Sequence, residues 1–193
     1  MDFVLATFNR DKARELQALL AAPGRRLLNL GDFAGAAAPD EAGASLLENA
    51  RLKAAAATRL TGLPALADDT GLEVDALDGA PGHHAARFAG PAAGAGENLA
   101  LLLERMSAVP LPRRTARFRT VCVACFPDGS ECVGEGVLEG VITEAPRGAG
   151  GFGYDLVFEV MGLGRTLAEL DEAGKHALSH RARAAQALGR LLP

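Results

Sequence analysis

The chain opens on a short apolar run, Phe3-Val4-Leu5-Ala6-Thr7, which gives way to a turn, Phe8-Asn9-Arg10-Asp11. A helical pattern follows from Lys12 to Ala21, with Leu16, Leu19 and Leu20 on one side, and Pro23-Gly24 stops it. Strand, loop and helix in this order put Thr7, Asn9 and Lys12 at a helix N-terminus. Free N–H groups and the positive end of the dipole suit an anion there. Leu27-Leu28-Asn29-Leu30 reads as a second strand, and the Ala- and Gly-rich stretch from Gly31 to Gly43 as a loop carrying Asp40-Glu41. Ser45-Leu-Leu-Glu48 has the capping-box spacing, so a helix is expected from there to about Thr61, with Gly62 as its terminator. Asn49 and Lys53 lie four apart on that helix and share a face.

Leu63 to Ala67 forms the next short apolar run and ends in Asp68-Asp69-Thr70-Gly71. Leu72 to Leu77 alternates with period two, as a half-buried strand does. Gly79-Ala-Pro-Gly82 is a turn, and Asn98 to Met106 a short amphipathic helix. Two long strands, Arg117–Phe126 and Glu131–Ile142, flank the hairpin signal Pro127-Asp128-Gly129. A glycine-rich loop, Gly148 to Asp155, leads into Leu156-Val-Phe158, and a last helix covers roughly His176 to Leu192. This order predicts an α/β fold: an elongated mixed sheet with long antiparallel hairpins rather than a purely parallel one. No repeat or low-complexity linker divides it, so one domain over residues 1–193 is expected.

Composition narrows the class. At 49% hydrophobic residues and a mean hydropathy of +0.11, the chain reads as globular. No apolar run approaches the ~18 residues that span a bilayer, so no membrane partner is expected. Met1-Asp2-Phe3-Val4 lacks a basic n-region before an apolar stretch, so a cytoplasmic location is expected. A net charge of −4 argues against a general nucleic-acid binder. A small anionic ligand would then need a local cationic cluster or a divalent metal.

The cations are unevenly chosen. Of 20 basic residues only Lys12, Lys53 and Lys175 are lysine. An ammonium approaches one oxygen closely where a guanidinium presents a planar fork, so these three positions are leads. Cys122 and Cys125 have C-x-x-C spacing, but on a strand residues three apart point to opposite faces, so buried free thiols are expected there.

Asp68-Asp69 fixes two carboxylates directly after an apolar strand. Such hard oxygen ligands suit Mg²⁺ beside phosphates, although Asp-Asp-Thr-Gly is also ordinary turn composition. Glu41, beside Asp40, offers a further carboxylate or a solvated loop. Phe152, flanked by glycines in Gly150-Gly-Phe-Gly-Tyr-Asp155, suits a base-stacking platform or, alternatively, a tight bend. Ser179-His180-Arg181 offers donors in sequence, and no G-x-S-x-G elbow supports a nucleophile. His83-His84 reads as a loop or rim pair rather than a metal site, and neither common phosphate-loop fingerprint occurs.

Together these segments resemble the ITPase, or XTP/dITP diphosphatase, family of pyrophosphatases acting on non-standard purine nucleoside triphosphates. The matching pieces are Leu5 to Lys12, Glu48 to Ala54, Leu66 to Val74, Gly79 to Gly82, Ala86-Arg87-Phe88, Gly150 to Asp155 and Lys175 through Arg181. They run colinearly over almost the whole chain. The resemblance implies two lobes flanking a central nucleotide cleft, a homodimer, Mg²⁺, and hydrolysis of ITP, dITP and XTP to monophosphate and pyrophosphate. By matched position it makes Asp69 the general base and a metal ligand, with Asp68 and Glu41 as further metal ligands. The loop Thr7, Phe8, Asn9, Arg10, Asp11 and Lys12 would bind the triphosphate together with Lys53 and Thr70. Phe152, Gly153, Tyr154, Asp155, Lys175, His180 and Arg181 would hold and read the base. The chain departs from the family pattern at Phe8, usually glycine, at Leu156, often proline, at Ala85, often serine, and at Thr70, frequently serine. None of these changes removes a charged group. A non-catalytic nucleotide sensor and a Maf-like pyrophosphatase acting on other non-standard nucleotides are the alternatives.

Overall fold

The computed structural model describes residues 1–37 and 43–193, so Asp40 and Glu41 lie outside the described residues. The chain forms two compact units, each assembled from separate stretches. The first comprises Met1–Asp69, Thr120–Gly136 and Arg181–Pro193; the second comprises Thr70–Arg119 and Val137–His180.

Seven strands are present among the described residues: β1 (Asp2–Leu5), β2 (Arg26–Asn29), β3 (Ala65–Val74), β4 (Pro81–Gly82), β5 (Thr115–Cys125), β6 (Glu131–Ile142) and β7 (Phe158–Val160). The sheet order is β2-β1-β3-β5-β6-β7, with β4 pairing β3 off this path. β1 runs parallel to both β2 and β3, while β3–β4 and β6–β7 are antiparallel pairs. The sheet is therefore mixed, as the alternation of hairpin and helix signals predicts.

Helices α1 (Arg10–Leu20), α2 (Leu46–Thr61) and α5 (His180–Gly189) belong to the first unit apart from His180. α3 (Ala95–Met106) and α4 (Glu172–Leu178) belong to the second. α2 follows its sequence signals closely. The Ser45 hydroxyl accepts from the Glu48 N–H at 3.2 Å, and the Glu48 carboxylate accepts from the Ala44 N–H at 2.7 Å. Gly62 ends the helix in the left-handed region at φ 69°, which a side chain would disfavour.

Two expectations differ. The runs on either side of Asp68-Asp69-Thr70-Gly71 are one continuous strand, β3, rather than two separated by a turn. The final helix is two helices, because Ser179 adopts an extended ψ of 155° and closes α4 through its N–H to the Lys175 carbonyl.

In the first unit the sheet carries apolar clusters on both faces. Phe3, Leu5, Leu16, Leu20, Cys122 and Leu188 form one, and Val4, Ala50, Ala54, Val121, Val123 and Cys125 belong to the other. Cys122 and Cys125 thus face opposite ways as free thiols. α5 lies so close to β6 that a Cβ at Gly134 would meet the Leu188 nitrogen at 2.4 Å. The second unit closes over Leu72, Leu102, Met106, Phe118, Ile142, Phe158 and Leu167. No helix among the described residues is long and apolar enough to cross a membrane.

Candidate active site

In the first unit, β1 delivers the chain to a tight loop before α1. The Thr7 hydroxyl accepts from the Asn9 N–H at 3.2 Å, and Asn9 Oδ1 accepts from the N–H groups of Asp11 and Lys12 at 3.0 and 3.1 Å. Asn9 is thus the N-cap of α1, and two of the amides that the sequence leaves open for an anion are already engaged. The side chains of this loop are the other groups available to a ligand at this end. Phe8 stands 48% exposed, Asn9 and Arg10 are exposed, and Thr7, Asp11 and Lys12 are half-buried.

β3 supplies the acidic pair, and consecutive residues of the strand offer their carboxylates to different partners. Lys12 Nζ lies 3.3 Å from Asp68 Oδ2, and Arg181 Nε donates to the same oxygen at 3.1 Å. Arg181 Nη1 in turn donates to Glu15 Oε2. Asp69 is gripped from α2: Lys53 Nζ donates to Oδ1 at 2.6 Å, and Asn49 Nδ2 approaches Oδ2 at 3.4 Å. The Asn49 carbonyl oxygen also accepts from the Gly43 N–H at 2.9 Å, and Asn49 is fully buried. The i, i+4 spacing seen in the sequence therefore aims both side chains at one carboxylate.

Burial alone would raise the Asp68 carboxyl, but Lys12, Arg181 and Lys53 outweigh it and hold the group well below the usual carboxylate range. Asp68 stays ionised at neutral pH. Burial would lower Arg181, and Asp68 with Glu15 overrides that too, so its charge is fixed. Beside them, burial pushes the Cys122 thiol well up, with the Asp68 charge adding to the effect, which makes it an inert neutral neighbour. Three cations (Lys12, Lys53, Arg181) thus face three carboxylates (Glu15, Asp68, Asp69), and their formal charges cancel.

Arg181 differs most from its sequence reading. It is 2% exposed, and its Nε and Nη1 groups serve Asp68 and Glu15 rather than an open face. Glu15 had no place in the sequence reading at all. Its signal is a charge lying next to Leu16 on the buried side of α1, a position that calls for a partner.

The second unit assembles a different group. Gly151 holds φ 67°, and a Cβ there would meet Asp155 Oδ2 at 2.4 Å, so only glycine lets the chain turn this close. That oxygen accepts from the Phe152 N–H at 3.0 Å and from Lys175 Nζ at 2.9 Å. The Lys175 ammonium also stands 4.9 Å from the Phe152 ring centroid, a cation–π distance, while the ring stays partly exposed. Gly153 continues the turn at φ 59°, and the Tyr154 hydroxyl donates to the Ala85 carbonyl at 2.9 Å. Burial raises the Tyr154 phenol, so it remains a neutral donor. His180 is buried and stacks on Phe118, with ring centroids 4.5 Å apart. Thr70 follows the acidic pair on β3 and is half-buried. The His83 and His84 rings lie 3.9 Å apart, tilted by 45° to one another.

A hard carboxylate oxygen beside fixed ammonium groups can hold a water or a cation near a phosphate, and a partly exposed ring over a turn can support a base. Among the described residues no group of three or more His, Cys, Asp or Glu could hold a metal ion.

The chain is similar to known proteins over nearly its whole length. The Ham1 family model matches residues 3–191. A dITP/XTP pyrophosphatase of Thermus thermophilus is 52% identical over 188 residues, covering 97% of this chain and 90% of the relative. A dITP/XTP pyrophosphatase of Geobacter sulfurreducens is 48% identical over 94% of this chain and 91% of its own. Among solved structures, a HAM1 protein from Coxiella burnetii superposes with a TM-score of 0.90 at 38% identity, covering 99% of this chain and 98% of that one. The nucleoside-triphosphatase / dITP/XTP pyrophosphatase of Mycobacterium abscessus gives 0.78 at 41% identity over the full length of both chains. With near-complete coverage at these identities, the chain belongs to the Ham1 family.

Proposed function

We propose that this chain hydrolyses non-standard purine nucleoside triphosphates, among them dITP, XTP and ITP, to the nucleoside monophosphate and pyrophosphate. Family membership supports the reaction class. The observation that carries it to residues is the contact of Lys53 with Asp69 on β3, next to Asp68 held by Lys12.

The physics of the reaction asks first for charge neutralisation, because water must attack phosphorus within a strongly anionic tail. Lys12, at the start of α1, and Lys53 provide fixed ammonium groups, and the loop Thr7 to Asp11 lies against the triphosphate. Asp69 orients the attacking water and takes its proton as the water oxygen bonds to phosphorus. The α–β anhydride bond breaks, and its electron pair leaves on the bridging oxygen. Thr70 supplies a hydroxyl beside this carboxylate.

The six charges of this cluster cancel, so a bound divalent cation would add positive charge that the cluster itself does not supply. Asp68 is fully buried against Lys12 and Arg181, whereas the Asp69 side chain retains 9% exposure. A hard, oxygen-preferring divalent cation such as Mg²⁺ suits carboxylate oxygens of this kind, and Asp69, Asp68 and Glu41 are the residues that would hold it. When bound, it supplies charge to the phosphate oxygens. Glu41 lies outside the described residues.

Selection of the base is assigned to the second unit. Phe152, Gly153, Tyr154, Asp155 and Lys175 hold the ring, and His180 donates toward the 6-keto oxygen. Arg181 acts through Asp68. Adenine would set an amino group against that donor, and one unpaired buried donor costs roughly 1–3 kcal/mol, or about 5- to 150-fold. We extend the proposal to a cytoplasmic homodimer without nucleic-acid or membrane partners; sedimentation as a 19.9 kDa monomer would remove the dimer.

The test is pyrophosphate release with Mg²⁺ on dITP, XTP, ITP, ATP and GTP. The 6-keto substrates dITP, XTP and ITP should lead ATP in kcat/KM by about 5- to 150-fold. Equal rates on ATP would sink the specificity, and no pyrophosphate from any of them would sink the function.

A further inference from the structure

α1 carries two charges three residues apart, Lys12 and Glu15, on one face of the helix. The two are joined the long way round. Lys12 Nζ reaches Asp68 Oδ2 at 3.3 Å, Asp68 Oδ2 accepts from Arg181 Nε at 3.1 Å, and Arg181 Nη1 donates to Glu15 Oε2. The helix, β3 and the start of α5 thereby close a ring of alternating charge. Side-chain exposure separates its members: Asp68 is at 0%, Arg181 at 2%, Glu15 at 11% and Lys12 at 19%. Three members are packed away, and Lys12 reaches solvent most.

We infer that Glu15 is a positioning residue for the phosphate-facing ammonium of Lys12. This rests on the pyrophosphatase reading above. Glu15 draws one arm of the Arg181 guanidinium to itself, which leaves Nε for Asp68. Without that pull, the fork is free to take both Asp68 oxygens in the bidentate geometry that guanidinium and carboxylate prefer. Asp68 Oδ2 then turns from Lys12, and the ammonium loses its aim. Simple charge counting says the opposite, because deleting a carboxylate from the ring adds net positive charge and should tighten the binding of a triphosphate. Geometry and charge therefore predict different signs, which makes the role measurable.

The three lysines of the chain give a direct reporter. With ¹⁵N-lysine labelling, Glu15→Gln should move the side-chain resonance of Lys12 and leave that of Lys175 in place. Kinetics on dITP should show kcat lowered about tenfold or more with KM not lowered, whereas charge counting alone would lower KM and leave kcat in place. In the Lys12→Ala background the same substitution should cost nothing further, because residues acting as one unit are non-additive. Should Glu15→Gln fail to fold, Glu15→Asp carries the same measurements with the charge kept and the reach shortened. A Lys12 signal that stays put, a shift spread evenly over all three lysines, or losses that multiply in the double variant would each overturn the assignment. The resonance readout needs no turnover, so it stands apart from any failure of the wild-type enzyme to release pyrophosphate.

Discussion

Asp69→Asn should lose turnover by about 10²–10⁴-fold, the range of a positioned general base, while nucleotide still binds. The reason lies in how α2 holds this side chain. Lys53 donates to Oδ1 at 2.6 Å and Asn49 approaches Oδ2 at 3.4 Å. An amide of the same shape can keep the Lys53 contact through its oxygen. Its nitrogen then faces the Asn49 amide, donor against donor, and it has no basic lone pair to take a proton from water. The fold should therefore survive and the chemistry should not. Single-turnover pyrophosphate release beside equilibrium binding of dITP separates the two. An active Asn variant would take the base role from Asp69.

Lys53 is the second sensitive point. Lys53→Met should reduce kcat by about 10²–10³-fold, the usual cost of removing one fixed electrostatic donor from a reacting site. Lys53→Arg keeps the charge and should still lose most of that rate. The Lys53 side chain is only 12% exposed and meets a single Asp69 oxygen. A guanidinium in its place would engage both oxygens of Asp69 and leave none for water. Steady-state rates for the two variants decide the matter. An Arg variant running at the wild-type rate would show that charge alone suffices and that the choice of lysine is incidental.

How far the sequence reveals this depends on which physical signal each residue leaves. α2 was legible to its ends because Ser45, Glu48 and Gly62 are local signals acting on their own turn. β6 was legible over Glu131–Ile142 because hairpin chemistry sits at its start. β3 was not legible as one strand. Its polar centre, Asp68-Asp69-Thr70, interrupts the apolar pattern because those carboxylates face cations of other elements rather than water. A long-range ion pair marks the local sequence only as a charge on a buried face, as at Glu15, and does not name its partner. The same holds for Arg181, which reads as a donor to a ligand until Glu15 and Asp68, distant in sequence, are seen around it. Asn49 and Lys53 lie between these cases. Their shared face was visible from spacing, and only the fold shows that they meet at one carboxylate.

The grip of α2 on Asp69 also limits how this chain can change over generations. Each residue of a helix turns the next by about 100°. A single insertion or deletion between Asn49 and Lys53 would swing one of them off Asp69 while leaving an equally good helix. Point substitutions on the solvent side, at Leu52 or Leu60, touch nothing in the grip. Lineages descended from this chain should therefore vary the composition of α2 freely on that side while keeping the count of residues between Asn49 and Lys53 fixed. The spacing is a heritable length, set by one carboxylate on a neighbouring strand.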